Sequence, residues 1–273
     1  MDSASSIQSR YDEVSPGYGR EAVDSVATKL YWLAYDHLTF RAVERVLPRG
    51  RPSLRILDAG GGGGKFGARL AERGHHITVL DISPGMLEQA RGSFAERGVL
   101  ARGSFVVGDV AALPFQEESF DLVFCEGDPV SYCLDRHPQA IAELVRVAAR
   151  GAPVILGVDN RYAHFISTVR GGAAELALPI LLTGRSLCPY GLPVHAFSLH
   201  ELSAAVTAAG AEVIEIFGKP VMFFDVLAAL TAARGPDFDP WSAREEILAI
   251  QERLAHEGYA SMGGHFQVMA RRR

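Results

Sequence analysis

The stretch RILDAGGGGGKFGARL, residues 55–70, places five consecutive glycines between a short apolar run and an amphipathic segment. Glycine loses more conformational entropy on folding than any other residue, so such a run is costly unless the backbone there has a task. Three interpretations compete: a flexible linker, a phosphate-binding loop, and a loop whose bare backbone approaches a bound molecule. The linker is excluded because the run joins a strand-like segment directly to a helix-like one, without serine or polar filler.

Two phosphate-binding patterns fit this run poorly. A P-loop, G-x-x-x-x-G-K-[ST], can use Gly64 and Lys65, but Ala59 occupies the position of its first glycine and Phe66 replaces the hydroxyl that holds magnesium. A dinucleotide fingerprint, G-x-G-x-x-G, does occur, but it starts later than the end of the strand requires. The remaining frame is D-x-G-x-G-x-G, residues 58–64, with glycine at every second position after the aspartate.

The rest of the chain alternates short, β-branched apolar runs with helix-like stretches. Strands are predicted at residues 55–58, 76–81, 105–109, 120–125, 153–158, 211–217 and 264–270. Helices are predicted at residues 19–47, 65–73, 84–97, 139–149, 199–209 and 241–257. Strands joined through helices imply right-handed crossovers and a mostly parallel sheet. The predicted fold is therefore α/β, a Rossmann-like, doubly wound sheet of seven strands.

Three segments lie outside this alternation. Residues 1–50 are predicted to form an N-terminal helical lid on a main domain of residues 51–273. Within that domain, residues 160–198 and 218–263 are insertions after strands five and six. Both insertions are apolar and contain prolines, so we expect them to form a cap over a substrate.

In the remaining frame, ILDAGGGGG resembles the first motif of class I S-adenosylmethionine-dependent methyltransferases: an apolar strand, an acidic residue and G-x-G-x-G. LDISPGMLEQAR, residues 80–91, resembles the second motif, D-x-S-x-x-M-L. ALPFQEESFDLVFC, residues 112–125, resembles L-P-F-x-x-x-S-F-D-x-V. The resemblance extends over residues 54–159, with its motifs in order and at family spacing. It implies that residues 51–273 are a methyltransferase domain with S-adenosylmethionine as cofactor.

The resemblance also implies the cofactor contacts. Asp81 ends the second strand, where an acid is well placed to accept both ribose hydroxyls, and Ile82 follows it. Met86 would lie against the adenine ring, the alternative being plain core packing. Asp109 would accept a hydrogen bond from the adenine amino group, and the backbone N–H of Val110 would reach the ring.

Further cofactor contacts are expected from the loops and the lid. Asp58 either holds the cofactor amine or braces the glycine loop. Tyr11 and Tyr18, in RYDEVSPGY, resemble the Y-D-x-x-A-x-x-Y opening of quinone-biosynthesis methyltransferases, where the tyrosine closes over the cofactor carboxylate; packing on the lid helix is the alternative. The predicted cofactor residues are Tyr11, Tyr18, Asp58, Gly60, Gly62, Asp81, Ile82, Met86, Asp109, Val110 and Glu126.

The loops after strands four and five are expected to hold the acceptor, because ligands bind beyond the carboxyl ends of parallel strands. Both loops are unusually polar and resemble those of the glycine N-methyltransferase group, where an arginine after strand five binds the acceptor carboxylate. Arg161 occupies that place, and with Tyr162 and Asp128 it is predicted to bind the acceptor. Asp128 and Pro129 depart from the Asn-Ser pattern of that group.

Methyl transfer from a sulfonium is an in-line displacement whose leaving group departs neutral, so it needs orientation more than an acid. A base is required only if the nucleophile still carries its proton. The sequence therefore names no fixed catalytic residue. His137, His164 and His195 lie in predicted pocket loops and are the candidates, whereas His265 is assigned a structural role in the last strand.

The amino-acid composition limits the classes of molecule that this protein is expected to bind. The 273 residues carry a net charge of -5, which argues against nucleic acid and anionic membranes and favours a small-molecule acceptor. Three widely spaced cysteines predict neither disulfides nor a metal site and fit a cytoplasmic protein. The N-terminus lacks an apolar signal-peptide core, and the longest apolar stretch is too short to span a bilayer. An Ala-, Arg- and Gly-rich composition is consistent with secondary metabolism in a GC-rich source.

Two other functions stay open on sequence alone. One is an NAD(P)-dependent Rossmann oxidoreductase. The other is a non-catalytic protein of the same fold that binds the cofactor. The identity of the acceptor, the methylated atom (O, N or C) and the oligomeric state are not predicted.

Overall fold

The described residues, 3–14, 25–48, 50–188 and 191–273 of a computed structural model, form nine strands and eleven α-helices. The strands are β1 (Arg55–Ala59), β2 (His76–Asp81), β3 (Gly103–Val107), β4 (Leu122–Cys125), β5 (Pro153–Asp159), β6 (Arg185–Leu187), β7 (Pro193–His195), β8 (Ala211–Val221) and β9 (Gly263–Arg272). The helices are α1 (Ser3–Val14), α2 (Val26–Val46), α3 (Lys65–Glu72), α4 (Pro84–Glu96), α5 (Pro129–Tyr132), α6 (His137–Val147), α7 (Arg161–Arg170), α8 (Ala174–Thr183), α9 (Leu199–Ala208), α10 (Phe223–Arg234) and α11 (Arg244–His256).

Seven of the strands form one sheet in the order β3-β2-β1-β4-β5-β9-β8. The first five in this order pair in parallel, whereas β9 runs antiparallel to both β5 and β8. The predicted α/β, Rossmann-like sheet of seven mostly parallel strands is therefore confirmed. The other two strands, β6 and β7, pair as a separate hairpin that the sequence analysis did not predict.

Helices cover both faces of this sheet. Helices α2, α3, α4 and α11 pack on one face, in a cluster that contains Leu38, Leu70 and Phe94. Helices α6 and α9 pack on the other face, where Leu144 and Val206 belong to a second cluster. Strands covered on both sides must be apolar along their length, and β5 is buried at every residue.

Most predicted boundaries lie within three residues of the observed ones, and two differ by more. Helix α2 begins after Ser25, whose side chain accepts a hydrogen bond from the backbone N–H of Thr28; the predicted residues 19–24 lie outside the described part of the chain. Strand β8 continues to Val221, past the predicted end at 217, because residues 217–221 remain paired and buried. The second insertion therefore starts at Met222 rather than at 218.

The insertions contribute unequally to the region at the carboxyl ends of the strands. Residues of α7 and β6 from the first insertion, and of α10 from the second, line one cavity with the ends of β4 and β5. Helix α11 instead packs against α2 and β8 and belongs to the core. None of the described helices has the length and apolar character needed to cross a bilayer.

The direction of β9 brings three ionisable residues into one row. Because β9 runs opposite to β5, its first residues lie at the same edge of the sheet as the carboxyl end of β5. His265 is thereby in register with Asp159 on one side and with Lys219 on the other. These side chains come from distant parts of the chain and meet at the edge where ligands of such sheets bind.

Candidate active site

A cavity of about 1480 Å³ opens at the carboxyl edge of the sheet. The glycine loop and the ends of β2 and β4 line one half of it, which we call the cofactor half. The end of β5, the start of β9 and parts of α2, α7 and α10 line the other, the acceptor half. Single-ligand pockets usually measure about 300–1,000 Å³, so this cavity has room for two molecules side by side.

The glycine loop has the register that the sequence predicts. Gly60, Gly62 and Gly64 have φ angles of 67°, 50° and 73°, in the left-handed region that favours glycine. Gly61 is confined differently, since a Cβ there would lie 2.7 Å from Cγ of Asp58. Gly63 is looser, with the nearest atom to an added Cβ 3.5 Å away. Of the two glycines that the motif leaves open, only Gly61 is required by packing.

Two acidic residues hold this loop in different ways. The Asp81 carboxylate accepts hydrogen bonds from the backbone N–H groups of Gly62 and Ser83, each at 2.9 Å, and it lines the cavity. Burial raises the pKa of Asp81, and these N–H donors oppose the shift. Asp58 lies beneath the loop, 2% exposed, and accepts from the N–H of Gly67 at 3.0 Å. This geometry favours the bracing role for Asp58 over contact with the cofactor amine.

The predicted adenine contacts lie together on the cofactor half. Ile82, Met86 and Val110 line the cavity beside Asp109. One Asp109 oxygen accepts from the N–H of Ala111 at 2.8 Å. The other accepts from Nη1 of Arg136 at 2.8 Å, so the carboxylate that would meet an adenine amino group is already paired with an arginine.

The N-terminal helix reaches the same half of the cavity. Tyr11 lines it and packs edge-on against Tyr132, with ring centroids 5.8 Å apart. One residue later, Asp12 accepts hydrogen bonds from Oγ of Ser83 at 2.5 Å and from the N–H of Gly85 at 3.3 Å. Helix α1 is therefore attached to the start of α4 next to the cavity, as a lid would be. The other predicted tyrosine, Tyr18, lies outside the described residues.

A fully buried ion pair lies under the boundary between the two halves. Nζ of Lys219 donates to Oε2 of Glu126 at 2.6 Å, and both side chains have 0% exposure. The hydroxyls of Thr39 and Tyr35 complete the group, at 2.6 Å from Nζ and 3.1 Å from Oε2 respectively. Burial raises the pKa of Glu126 and lowers that of Lys219. Oε1 of Glu126, whose residue lines the cavity, has no hydrogen-bond partner among the described atoms.

Two histidine–aspartate pairs lie in the acceptor half. Nδ1 of His265 lies 3.1 Å from Oδ2 of Asp128, and 3.9 Å from Oδ1 of Asp159. His164 contacts that same Asp159 oxygen through Nε2 at 2.9 Å, and its Nδ1 lies 2.7 Å from Oγ of Ser186. Both nitrogens of His164 are thus engaged, whereas the described contacts of His265 use Nδ1 and leave Nε2 for a ligand. Burial works against protonation of His265, but Asp128 and then Asp159 outweigh it and raise its pKa.

Four of the predicted acceptor-side residues lie elsewhere. Arg161 donates to the carbonyl of Ala196 at 3.1 Å and forms an ion pair with Glu201. His195 also contacts Glu201, at 2.7 Å, and stacks on His137 with centroids 4.4 Å apart. These side chains satisfy one another beside the β6–β7 hairpin, and none belongs to the described cavity lining. The fourth predicted residue, Tyr162, is 37% exposed and is likewise not part of that lining. Of the predicted acceptor-side set, His164 and Asp128 line the cavity.

Two groups of side chains have the spacing of metal ligands. Ligand atoms of Asp128, Asp159 and His265 lie within 4.8 Å of one another, as do those of His137, His195 and Glu201 in a second group. Hydrogen bonds and ion pairs within each group account for the close spacing.

The sequence analysis did not predict His265 or Lys219 as site residues, for two different reasons. The last strand was recognised, but its direction was not considered, so its first residues were not placed at the ligand-binding edge. Lys219 was assigned to an insertion because β8 was ended too early. The signal for β8 was weak: Phe217 and Val221 lie on either side of Lys219, but Gly218 and Pro220 interrupt the strand pattern.

An open doubly wound sheet, a glycine-rich first loop and an acid at the end of the second strand define a protein that holds a nucleoside-containing cofactor at its carboxyl edge. A family model described as "Methyltransferase domain" matches residues 56–151. Malonyl-acyl-carrier protein O-methyltransferase of Erwinia pyrifoliae is 33% identical over 196 residues, 70% of this chain and 66% of that protein. The chain spans a smaller share, 42%, of its counterpart in Serratia marcescens.

Solved structures show the same fold at low sequence identity. Magnesium protoporphyrin IX methyltransferase (ChlM) from Synechocystis PCC 6803, with bound SAH, superposes with a TM-score of 0.65 at 16% identity, covering 100% of both chains. The cyclase SpnF superposes with a TM-score of 0.62 at 20% identity, covering 97% of this chain and 94% of that one. The chain belongs to the class I S-adenosylmethionine-dependent methyltransferase family. The predicted family is confirmed, and with it S-adenosylmethionine as the cofactor and methyl transfer as the family's reaction.

Proposed function

We propose that this protein transfers the methyl group of S-adenosylmethionine to a hydroxyl oxygen of a small-molecule acceptor, with His265 as the general base. The observation that carries this proposal is the His265–Asp128 pair, 3.1 Å apart, in a cavity that the glycine loop also lines. An aspartate on Nδ1 orients the ring and leaves Nε2 to take a proton, the arrangement used by histidine bases elsewhere.

The cofactor half fits the proposed cofactor. Gly60 and Gly61 present bare backbone to the cavity, because a Cβ there would clash with the protein itself, at 2.3 Å from Pro129 and 2.7 Å from Asp58. Asp81 offers a carboxylate at the end of β2, and Oε1 of Glu126 offers an acceptor that no described protein group uses. When bound, the cofactor supplies an electrophilic methyl group on a sulfur that leaves as a neutral thioether.

A histidine base held by an aspartate, as His265 is by Asp128, favours oxygen over nitrogen as the methylated atom. A neutral amine attacks through its lone pair without prior deprotonation, whereas a hydroxyl is a weak nucleophile until its proton is removed. In the proposed step the hydroxyl oxygen bonds to the methyl carbon as the carbon–sulfur bond breaks, and the proton passes to Nε2 of His265. The raised pKa of His265 makes it a stronger base, and Asp128 stabilises the imidazolium that forms.

The test supplies S-adenosylmethionine with an isotopically labelled methyl group to the purified protein and a metabolite extract, and follows labelled products by mass spectrometry. His265→Asn should lose roughly 10²–10⁴-fold in rate, the usual contribution of a general base, while retaining cofactor binding. His256→Asn is the matched control, since His256 lies on the surface of α11 and contacts Glu215. Equal activity in the parent and His265→Asn would refute the assigned base.

The same experiment separates the alternatives. Cofactor binding without a labelled product from any acceptor would favour a non-catalytic protein of the same fold, or one that uses the bound cofactor for something other than methyl transfer. Binding of a nicotinamide cofactor in calorimetry, without binding of S-adenosylmethionine, would favour the oxidoreductase. A further outcome is that a chelator abolishes methyl transfer and a divalent cation restores it. That result would favour a metal ion at Asp128, Asp159 and His265 over a histidine base.

A further inference from the structure

We propose that the acceptor is an uncharged, planar aromatic alcohol, held by stacking on a wall of aromatic side chains beside His265. This inference rests on the proposed function, because it names the substrate class of the same site. Two independent observations carry it: the geometry of the aromatic wall and the basic partners of the carboxylates around it.

The aromatic wall consists of Tyr31 and Trp32 from α2 and of Phe223 and Phe224 from α10, all lining the acceptor half. The rings of Tyr31 and Phe224 stack with centroids 5.7 Å apart and an interplanar angle of 12°. Trp32 packs edge-on against Tyr31, with ring centroids 5.2 Å apart, and its ring centroid lies 6.4 Å from that of His265. A continuous series of rings therefore leads from α10 to the proposed base, with separations in the range at which aromatic groups attract one another.

Part of this wall is exposed. Trp32 is 38% exposed and Phe224 is 56% exposed, and Met262, which lines the same half, is 53% exposed. Covering apolar area of this kind with a ligand is favourable in proportion to the area removed from water. A flat ring seated on Trp32 or Phe224 would remove more of it than a flexible chain of the same size.

The charges of the acceptor half argue that the ligand is neutral. Each described carboxylate that lines this half has a basic partner: Asp128 with His265, Asp159 with His164, and Asp225 with Arg170. At the boundary with the cofactor half, Glu126 is paired with Lys219. An ammonium ligand would have to compete for a carboxylate that is already paired. A carboxylate ligand would in turn lie against Asp128 and Asp159, and it could reach the buried Lys219 only by displacing Glu126. The Arg170–Asp225 pair is exposed and adds little to this argument. Breaking a buried pair leaves one charge uncompensated, so a neutral ligand is favoured.

The wall distinguishes this chain from the general methyltransferase domain. Its four aromatic residues lie outside residues 56–151, the part that matches the family model. The curated relative from Erwinia pyrifoliae is named for a malonyl substrate, which carries a carboxylate. The pairing of charges here predicts a different acceptor preference, toward an apolar ring that bears a hydroxyl group.

The test measures binding without turnover, by calorimetry in the presence of S-adenosylhomocysteine. The probes share a two-ring carbon skeleton and differ in charge or planarity: naphthol, naphthoate, protonated naphthylmethylamine and decahydronaphthol. Naphthol should bind most tightly of the four. Trp32→Ala and Phe224→Ala should each weaken naphthol binding by roughly three- to tenfold, the range expected for loss of one aromatic contact. Trp241→Ala is the matched control, since Trp241 is 40% exposed and is not part of the described lining.

The outcomes separate this inference from the proposed function. Tightest binding by naphthoate or by the amine, equal binding of naphthol and decahydronaphthol, or equal effects of Trp241→Ala and Trp32→Ala would each overturn the inference. His265→Asn should keep the preference for naphthol over the other probes and should methylate it roughly 10²–10⁴-fold more slowly than the parent. Naphthol binding with no labelled product in the parent would support the acceptor class while counting against methyl transfer.

Discussion

Removing the charge of Lys219 should destabilise the protein strongly, although Lys219 has no place in the transfer step. Lys219→Met keeps a side chain of similar length and removes the ammonium that contacts Glu126 and Thr39, both at 2.6 Å. The Glu126 carboxylate then stays fully buried with the Tyr35 hydroxyl as its remaining described partner.

The complete burial of the Lys219–Glu126 pair determines how much stability Lys219→Met should lose. Breaking a buried ion pair by removing one partner costs about 3–5 kcal/mol, because the remaining charge is uncompensated. For a domain of this size each kcal/mol lowers the melting temperature by about 2–4 °C, so a decrease of about 6–20 °C is expected. Replacing both charges is far milder, since the desolvation of two ions offsets most of their attraction. Glu126→Gln combined with Lys219→Met should therefore regain most of the lost stability.

The variant also has a predictable pH dependence. Burial already raises the pKa of Glu126, and loss of its cation raises it further. A carboxyl with a higher pKa in the folded state binds more protons folded than unfolded, so stability falls as pH rises from the unfolded to the folded pKa. The deficit of Lys219→Met should hence be largest at neutral and higher pH and should shrink as the solution is acidified.

The assay is urea unfolding without cofactor, followed by circular dichroism at several pH values for the parent, the single variant and the double variant. The slope with urea reports whether the unfolding unit has changed, and the midpoint reports stability. Equal midpoints for the parent and Lys219→Met at neutral pH, with equal slopes, would refute the buried-pair argument.

Further predictions concern the cofactor half. Gly61→Ala should weaken both folding and cofactor binding, because its Cβ would meet Asp58 at 2.7 Å, whereas Gly63→Ala should be tolerated in the same melting and calorimetry experiments. Asp81→Asn should reduce S-adenosylmethionine affinity by about 10- to 100-fold in calorimetry, the value of one or two hydrogen bonds to a charged group, with little loss of stability. Burial raises the pKa of Asp58 to about 7, so its ionisation should lower stability as pH rises from about 4 to 7. Asp58→Asn should remove that slope in urea unfolding while keeping an acceptor for Gly67, and an unchanged slope would contradict the assigned pKa.

The cofactor half could be predicted from sequence because its determinants are local. A left-handed backbone at alternate positions requires the glycines at 60, 62 and 64, and each is visible in the letters themselves. Asp81 is the last residue of a short strand, and Asp109 lies two residues beyond another; the apolar pattern delimits both strands. These residues of the cofactor half lie in or directly after three successive strands, β1, β2 and β3, so no long-range pairing has to be known.

The acceptor half depends on long-range register instead. His265 reaches the site only because β9 inserts antiparallel between β5 and β8, which the apolar pattern of one strand does not reveal. The resemblance placed Arg161 in the loop after strand five, where the structure has the start of α7. The direction of its side chain is decided by Glu201 and Ala196, which lie far along the chain. His137 and His195 were likewise placed in loops near the sheet edge, yet they stack on each other beside the hairpin.

The central claim is methyl transfer to oxygen with His265 as a base supported by Asp128. The most direct measurement is the pH dependence of kcat/KM for labelled methyl transfer to naphthol, in the parent, Asp128→Asn and His265→Asn. In the parent the rate should rise with pH through a pKa above the ordinary histidine value, because His265 must be neutral to accept the proton. In Asp128→Asn that rise should move to lower pH with a smaller plateau, and in His265→Asn it should vanish. A parent-like profile in His265→Asn would contradict the account.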